Sequence, residues 1–277
     1  MQKITCLVLA FSTAAASAQP CKSTLAENLE TGEQFAKHNL DQPIAPASTV
    51  KMALAVLVAD AVQNKKLRWD QMIPVEMPTD KTVSDHPEIC DRYQGKTVTR
   101  KARLDQVTTA SLINSHYFST YALIQALENT AGKAATDLFK ERFQLPNTRI
   151  YELIGTSNIS KCVKESPEIA NTTTAKDALE IVREFYKDSE LKDMLAKPFV
   201  FVQGLARRFN TTNVFLRGKD KKASAPILKT GFAGPDRSAI GYKKKVLFAA
   251  FGCPTSTDRW RIIERISIPE TVMFTPK

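Results

Sequence analysis

The sequence predicts an α/β chain of the α+β type, in which strands from both ends share one sheet and a helical middle forms a second lobe. Three observations predict it. Strand-like segments with turn residues fall near residues 25–37 and 225–251, and helical periodicity fills much of the span between 104 and 186. An almost unbroken apolar run, Met52 to Ala59, follows Ser48-Thr49-Val50-Lys51, and a helix apolar on every side belongs in a core. At 277 residues and 43% hydrophobic, the chain is long enough for two lobes around one interior.

The elements follow in order. Leu25 to Leu29 and Gln34 to Lys37 read as a strand pair around Glu30-Thr31-Gly32, where the glycine supplies the backbone angle a tight turn demands. Pro43 and Pro46 mark a loop into a helix that starts at Ser48 and ends at Asn64-Lys65-Lys66. From Trp69 to Thr99 the chain is polar and broken by Pro74, Pro78 and Pro87, so irregular structure is expected. Helices are expected over Leu104 to Ile113, Tyr121 to Thr130, Ala134 to Phe143 and Thr174 to Tyr186. Strands return at Ala225 to Thr230, Ser238 to Tyr242 and Val246 to Phe251, with Lys243-Lys244-Lys245 as the last corner. A final helix covers Asp258 to Ile266. Strands at both ends imply a sheet assembled from distant segments. No repeat or low-complexity linker divides the chain, so residues 19–277 read as a single domain, with a sheet lobe at 19–64 and 200–277 and a helical lobe at 65–199.

The amino terminus reads as a signal peptide over residues 1–18. Lys3 precedes the apolar run Ile4 to Phe11, and Ala16-Ser17-Ala18 offers small residues for cleavage before Gln19. Pro20 before Cys21 argues against lipid attachment at that cysteine. An exported protein, periplasmic or secreted and without a membrane anchor after cleavage, is expected. Four cysteines then remain, Cys21, Cys90, Cys162 and Cys253, which allows two disulfides in three connectivities or buried free thiols. The cysteines are far apart and only His38, His86 and His116 exist, so no metal site and no cofactor are expected. The net charge of +10 loses one unit with Lys3. That excess favours anionic partners, but the basic residues are dispersed without interleaved aromatics, which argues against nucleic acid. Monomer is the default expectation.

Chemistry concentrates at Ser48-Thr49-Val50-Lys51. Residues three apart on a helix are neighbours, and burial disfavours a charged lysine. A neutral amine beside a hydroxyl is a general base beside a nucleophile. A second S-x-x-K, Ser189-Glu190-Leu191-Lys192, lies among Lys187, Asp188 and Asp193 and reads as a solvated helix face. Near the carboxyl end, Lys229-Thr230-Gly231 closes the strand Pro226-Ile227-Leu228. The glycine permits close backbone approach, and the lysine and threonine can hold a carboxylate through charge-assisted hydrogen bonds.

With these motifs in this order, the chain resembles the penicillin-recognising serine hydrolases, which comprise D-alanyl-D-alanine carboxypeptidases and serine β-lactamases. The segments Leu29 to Lys51 and Gly252 to Thr255, followed by Asp258-Arg259, are similar to the carboxypeptidases; Leu67 to Val75 and Asn171 to Thr174 are equally similar to class A β-lactamases. The middle S-x-N motif corresponds to Ser115-His116-Tyr117, leading into a helix from Phe118 to Leu127, with tyrosine in place of asparagine. A phenol donates one hydrogen bond but is bulkier and has no carbonyl. The resemblance implies an antiparallel five-stranded sheet flanked by helices plus an all-helical lobe. It also implies that the first strand lies beside the last, so that Cys21 meets Cys253 and leaves Cys90 to Cys162.

Carried over residue by residue, the resemblance implies an acyl-enzyme at Ser48, with Lys51 as base. Ser115 and Lys229 would pass a proton to the leaving amine. The backbone N–H groups of Ser48 and Phe232 would form the oxyanion hole, the Phe232 ring being alternatively a pocket wall. Tyr117, Thr230, Gly231 and Arg259 would contact substrate, although a surface position on the last helix is the other reading of Arg259. His116 is expected to point away from Ser115. The implied substrate is a peptidoglycan stem peptide ending in D-alanyl-D-alanine, or a β-lactam. Aligning Thr148-Arg149 and Asn158 with the class A loop puts Ile154 where a deacylating glutamate would stand, with Glu152, Glu165 and Glu168 out of register. That favours a carboxypeptidase over a β-lactamase. A non-catalytic binding protein is the third reading, motivated by Tyr117.

Overall fold

The structure is a computed structural model that describes residues 21–79, 95–153, 171–196 and 227–266. Seven strands and seven helices occur among them, in the order β1 (Ser23–Asn28), β2 (Gln34–His38), α1 (Lys51–Gln63), β3 (Met72–Pro78), β4 (Thr97–Arg103), α2 (Leu104–Asn114), α3 (Tyr117–Ala131), α4 (Ala135–Phe143), α5 (Ala175–Lys187), α6 (Ser189–Ala196), β5 (Ile227–Ala233), β6 (Asp236–Lys243), β7 (Val246–Cys253) and α7 (Ser256–Ile266). A 3-10 turn, Ala47–Val50, precedes α1.

The expected sheet forms. Its order is β2-β1-β7-β6-β5, with every neighbouring pair antiparallel. Strand β7 sits at its centre and buries all of its residues. Leu247, Ala249 and Phe251 face the main core, whereas Val246 and Phe248 join Ile263 of α7 on the opposite side. Coverage on both faces explains why β7 reads as a continuous apolar run rather than an alternation. The hairpin into β2 turns at Gly32, φ +69°, and Lys244 takes a left-handed φ of 54° at the corner before β7.

Helix α1 is the axle of the molecule. Lys51 and every residue from Met52 to Ala59 are buried, and α5, α2, α3 and α4 pack around it. Helix α5 joins the lobes, since it also packs on β7, β6 and β1. At the end of β7, Cys253 is bonded to Cys21, which ties the start of the described chain to the entry of α7. Cys90 and Cys162 lie outside the described residues.

The expectation of irregular structure from Trp69 to Thr99 is corrected in part. Strands β3 and β4 form a two-stranded antiparallel ribbon, with Ile73 opposite Ala102 and Val75 opposite Arg100. Ile73 and Val75 are buried while Met72 and Pro74 are exposed, so a period of two was present. The prolines masked it, yet a strand with a free edge tolerates proline. Helix α3 starts at Tyr117, four residues before the Tyr121 expected from periodicity and one before the Phe118 expected from the motif. Its N-cap is His116 rather than one of the usual small polar residues, so the sequence offered no ordinary start signal.

Candidate active site

Three chain segments converge between the lobes. The first is the turn before α1. Thr49 donates to Pro46 O from both its N–H, at 3.1 Å, and its Oγ1, at 2.6 Å. This holds Ser48 half-buried at the mouth of the helix. The expected helix at Ser48 is thus a tighter 3-10 turn that becomes α-helical at Lys51, and the three-residue spacing still brings the two side chains together.

The second segment is the junction between α2 and α3. Ser115 ends α2 in the left-handed conformation, φ 58° and ψ 25°, so its carbonyl and its hydroxyl both face the lysines. Lys51 Nζ donates to Ser115 O at 2.7 Å and lies 3.3 Å from Ser115 Oγ and 3.4 Å from Ser48 Oγ. The third segment is β5, where Lys229 Nζ donates to Ser115 Oγ at 2.6 Å and to Thr230 O at 3.0 Å. Strand β5 runs against the Ser48 turn. A β-carbon at Gly231 would lie 2.8 Å from Pro46 O, 3.1 Å from Ala47 Cβ and 3.2 Å from Ser48 N. Only a glycine permits this approach of two backbones.

Burial sets the electrostatics. Lys51 is 2% exposed, and desolvation lowers its pKa to about 7, against a smaller opposing pull from the Glu152 carboxylate. Lys229 falls well below the ordinary lysine range, first through burial and then through the charges of Lys51 and Arg259. Arg259 is pulled down to about 10 by burial and by Arg237. The surface reading of Arg259 is therefore wrong. It is fully buried, donates from Nη1 to Ser238 O at 3.4 Å, and lies 5.4 Å from the centre of the Phe232 ring. Arg237 lies over the same ring at 4.8 Å. Phe232 itself remains 42% exposed at the rim of β5.

The sequence-based candidates Ser48, Lys51, Ser115, Lys229, Thr230 and Gly231 all fall in this cluster, with Phe232 and Arg259 beside it. Tyr117 is 2% exposed in the first turn of α3, edge-on to Phe118 with ring centres 5.2 Å apart. His116 turns from Ser115 and caps α3. The second S-x-x-K is on the surface as expected: Ser189 is exposed, and Lys192 lies over the Tyr186 ring at 4.7 Å.

Glu152 is the residue that register alone had set aside. Buried Asn171 fixes it, accepting from the N–H groups of Tyr151 at 2.8 Å and Glu152 at 3.3 Å. The same amide donates to Glu152 O at 2.8 Å and to Glu152 Oε1 at 3.1 Å. Below it, Asp177 accepts from Asn147 N–H at 2.9 Å and Thr148 Oγ1 at 2.7 Å, and Arg149 and Thr172 exchange two backbone bonds. These bonds hold Glu152 within electrostatic reach of Lys51, a long-range closure that spacing along the sequence does not disclose. Ile154, Glu165 and Glu168 lie outside the described residues. Among the described residues no group of three or more His, Cys, Asp or Glu side chains is placed to hold a metal, and no helix is long and apolar enough to cross a membrane.

A five-stranded antiparallel sheet flanked by helices, with a helical lobe and this serine–lysine cluster at their boundary, is the architecture of the penicillin-recognising serine hydrolases. The chain belongs to the β-lactamase enzyme family, whose sequence model matches residues 8–210. Among solved structures it is similar to penicillin-binding protein D2 from Listeria monocytogenes in its cefotaxime-bound form. That match has 19% identity and a TM-score of 0.68, and covers 92% of this chain and 97% of the other. It is also similar to a D-alanyl-D-alanine carboxypeptidase from Mycobacterium tuberculosis, at 16% identity and a TM-score of 0.63, with 93% of each chain covered. A β-lactamase from Sphaerobacter thermophilus matches at 15% identity and a TM-score of 0.60, over 91% of this chain and 92% of the other. No curated protein sequence matches the chain. Fold and family together define a serine-hydrolase-type enzyme.

Proposed function

We propose that this protein is an exported serine-type D-alanyl-D-alanine carboxypeptidase-like hydrolase, acting on peptidoglycan stem peptides through an acyl-enzyme at Ser48, with residues 19–277 as its single catalytic domain. The observation that carries the reading is the buried amine of Lys51, with a pKa of about 7, lying 3.4 Å from one serine hydroxyl and 3.3 Å from another. A neutral amine has a lone pair for a proton, and Ser115 O already engages one of its N–H bonds. The 3.4 Å separation is long for a hydrogen bond, as is common in a site without substrate.

In this reading Ser48 Oγ attacks the carbonyl of the penultimate D-alanine as its proton passes to Lys51. The developing oxyanion is received by the backbone N–H groups of Ser48 and Phe232; one such donor is worth about 3 kcal/mol. The C–N bond then breaks, and the leaving nitrogen takes a proton from Ser115, held by Lys229, while Lys51 returns the proton it took from Ser48 to Ser115. Terminal D-alanine departs and water hydrolyses the ester at Ser48. Lys229 and Arg259 supply the positive field for the terminal carboxylate, Thr230 offers a hydroxyl donor, and Tyr117 lines the wall where the related enzymes carry asparagine.

The test is release of free D-alanine from a synthetic pentapeptide ending in D-alanyl-D-alanine. Release that Ser48→Ala abolishes supports the peptidase; no release by the intact protein contradicts it. A β-lactamase is the second reading, favoured by one observation: the Glu152 carboxylate acts electrostatically on Lys51. A carboxylate so placed can orient water against an acyl-serine. Rapid, repeated hydrolysis of a chromogenic cephalosporin, lost in Glu152→Gln, would select that reading.

A further inference from the structure

We infer that His116 is a positioning residue, whose neutral imidazole locks the left-handed turn that presents Ser115 to Lys51 and Lys229. The inference rests on the function proposed above only in what it says of rate; the lock itself is a matter of geometry. Three groups of His116, which is fully buried, are held. Its Nδ1 accepts from Ser119 N–H at 3.2 Å and lies 2.6 Å from Ser119 Oγ. Its carbonyl accepts from Thr120 N–H at 3.0 Å and from Thr120 Oγ1 at 2.8 Å. Its own N–H donates to Ala110 O at 3.2 Å. Ser111 Oγ, on α2, lies 2.8 Å from Thr120 Oγ1 and joins the two helices behind the turn.

The peptide between Ser115 and His116 therefore has its oxygen on Lys51 and its N–H on the last turn of α2. The left-handed conformation of Ser115 is costly for a residue with a side chain, so it persists only where both sides are held. On the α2 side the holder is Ala110 O. On the α3 side it is the cap at His116. An Nδ1 that accepts the Ser119 N–H puts the ring proton on Nε2, so the imidazole acts through its unprotonated nitrogen. That is a capping role, and it leaves the proton transfers to Lys51 and Ser115. Truncating the ring strands a buried N–H at the start of α3, as loss of an N-cap does, and it frees the residue that sets the angle of Ser115.

The experiment compares His116→Ala with His116→Asn, since asparagine is a good N-cap with no imidazole. Two readouts are taken: the acylation rate with fluorescent penicillin, separated into half-saturating concentration and limiting rate, and backbone amide exchange at His116, Ser119 and Thr120. The expected result is a limiting rate lowered at least about tenfold in His116→Ala at a similar half-saturating concentration, with most of it restored in His116→Asn. Amide protection should be lost and restored in the same pattern. A parent-like rate in His116→Ala, or an asparagine variant no faster than the alanine one, overturns the inference while leaving the acyl-enzyme intact. If the parent takes no label, the function proposed above fails and the exchange data alone decide: unchanged protection in His116→Ala overturns the lock.

Discussion

Lys51 on α1 and Lys229 on β5 share one hydroxyl of the helical lobe: their Nζ atoms lie 3.3 and 2.6 Å from Ser115 Oγ. Two ammonium groups so close and so buried cannot both hold their protons comfortably, and each lysine is shifted downward, mainly by desolvation. Denying water to an amine lowers its affinity for a proton, which the base role proposed for Lys51 requires.

If Lys51 is the base, acylation should rise with pH through about 7 as the amine loses its proton, then level off. A profile that falls across this range would contradict its role. The same shift makes a stability prediction. Between about 7 and the ordinary lysine value of 10.5, the unfolded chain binds a proton at this position that the folded chain lacks. Stability therefore rises with pH in that window. Tyr242, pushed upward by burial from its ordinary value of 10.0, acts in the opposite sense above that value. Thermal midpoints measured from pH 7 to pH 10 should climb; a flat or falling series counts against a buried, neutralised Lys51.

Glu152 raises the pKa of Lys51. Replacing it by glutamine removes that charge, so the midpoint of the acylation profile should move below about 7. A midpoint that does not move would place the carboxylate too far from Lys51 to matter. Following release of the label in the same variant separates the two functional readings, since only the β-lactamase reading requires release to slow.

Gly231→Ala introduces a β-carbon 2.8 Å from Pro46 O and 3.2 Å from Ser48 N. Backbone atoms must move apart, which displaces Ser48 and the N–H of the following Phe232 together. Acylation should fall about 100-fold or more, the scale of a lost oxyanion donor, while overpacking costs stability by about 1–3 kcal/mol. Parent-like acylation would show that the turn and the strand are not coupled.

The Cys21–Cys253 bond closes a loop across 232 residues and anchors the strand that leads into the helix carrying Arg259. Its reduction, or Cys253→Ser, should lower stability by about 2–5 kcal/mol. Unchanged melting under reducing conditions would mean that the bond does not constrain the unfolded chain in solution.

Much of this site was legible in the sequence because its chemistry is local. Ser48 and Lys51 are three residues apart in an apolar helix, and Lys229-Thr230-Gly231 is a contiguous strand end. The five strands were legible for a similar reason, being short runs bounded by Gly32, by proline or by lysine corners. What stayed hidden depends on distant closure. The inward position of Arg259 follows from α7 lying on β6 and β7. The electrostatic reach of Glu152 to Lys51 follows from Asn171 holding Tyr151 and Glu152, and from Asp177 holding Asn147 and Thr148. The ribbon of β3 and β4 was obscured because Pro74 and Pro78 read as breakers, although pairing with a single neighbour leaves them tolerable.

Acylation of Ser48 is read most directly from the mass of the intact protein, and of its Ser48 peptide, after brief exposure to a penicillin. The expected result is a single adduct equal to one whole β-lactam molecule, mapped to Ser48, absent in Ser48→Ala and strongly slowed in Lys51→Ala. An unmodified Ser48 in a correctly folded protein, or an adduct on any other residue, would contradict it.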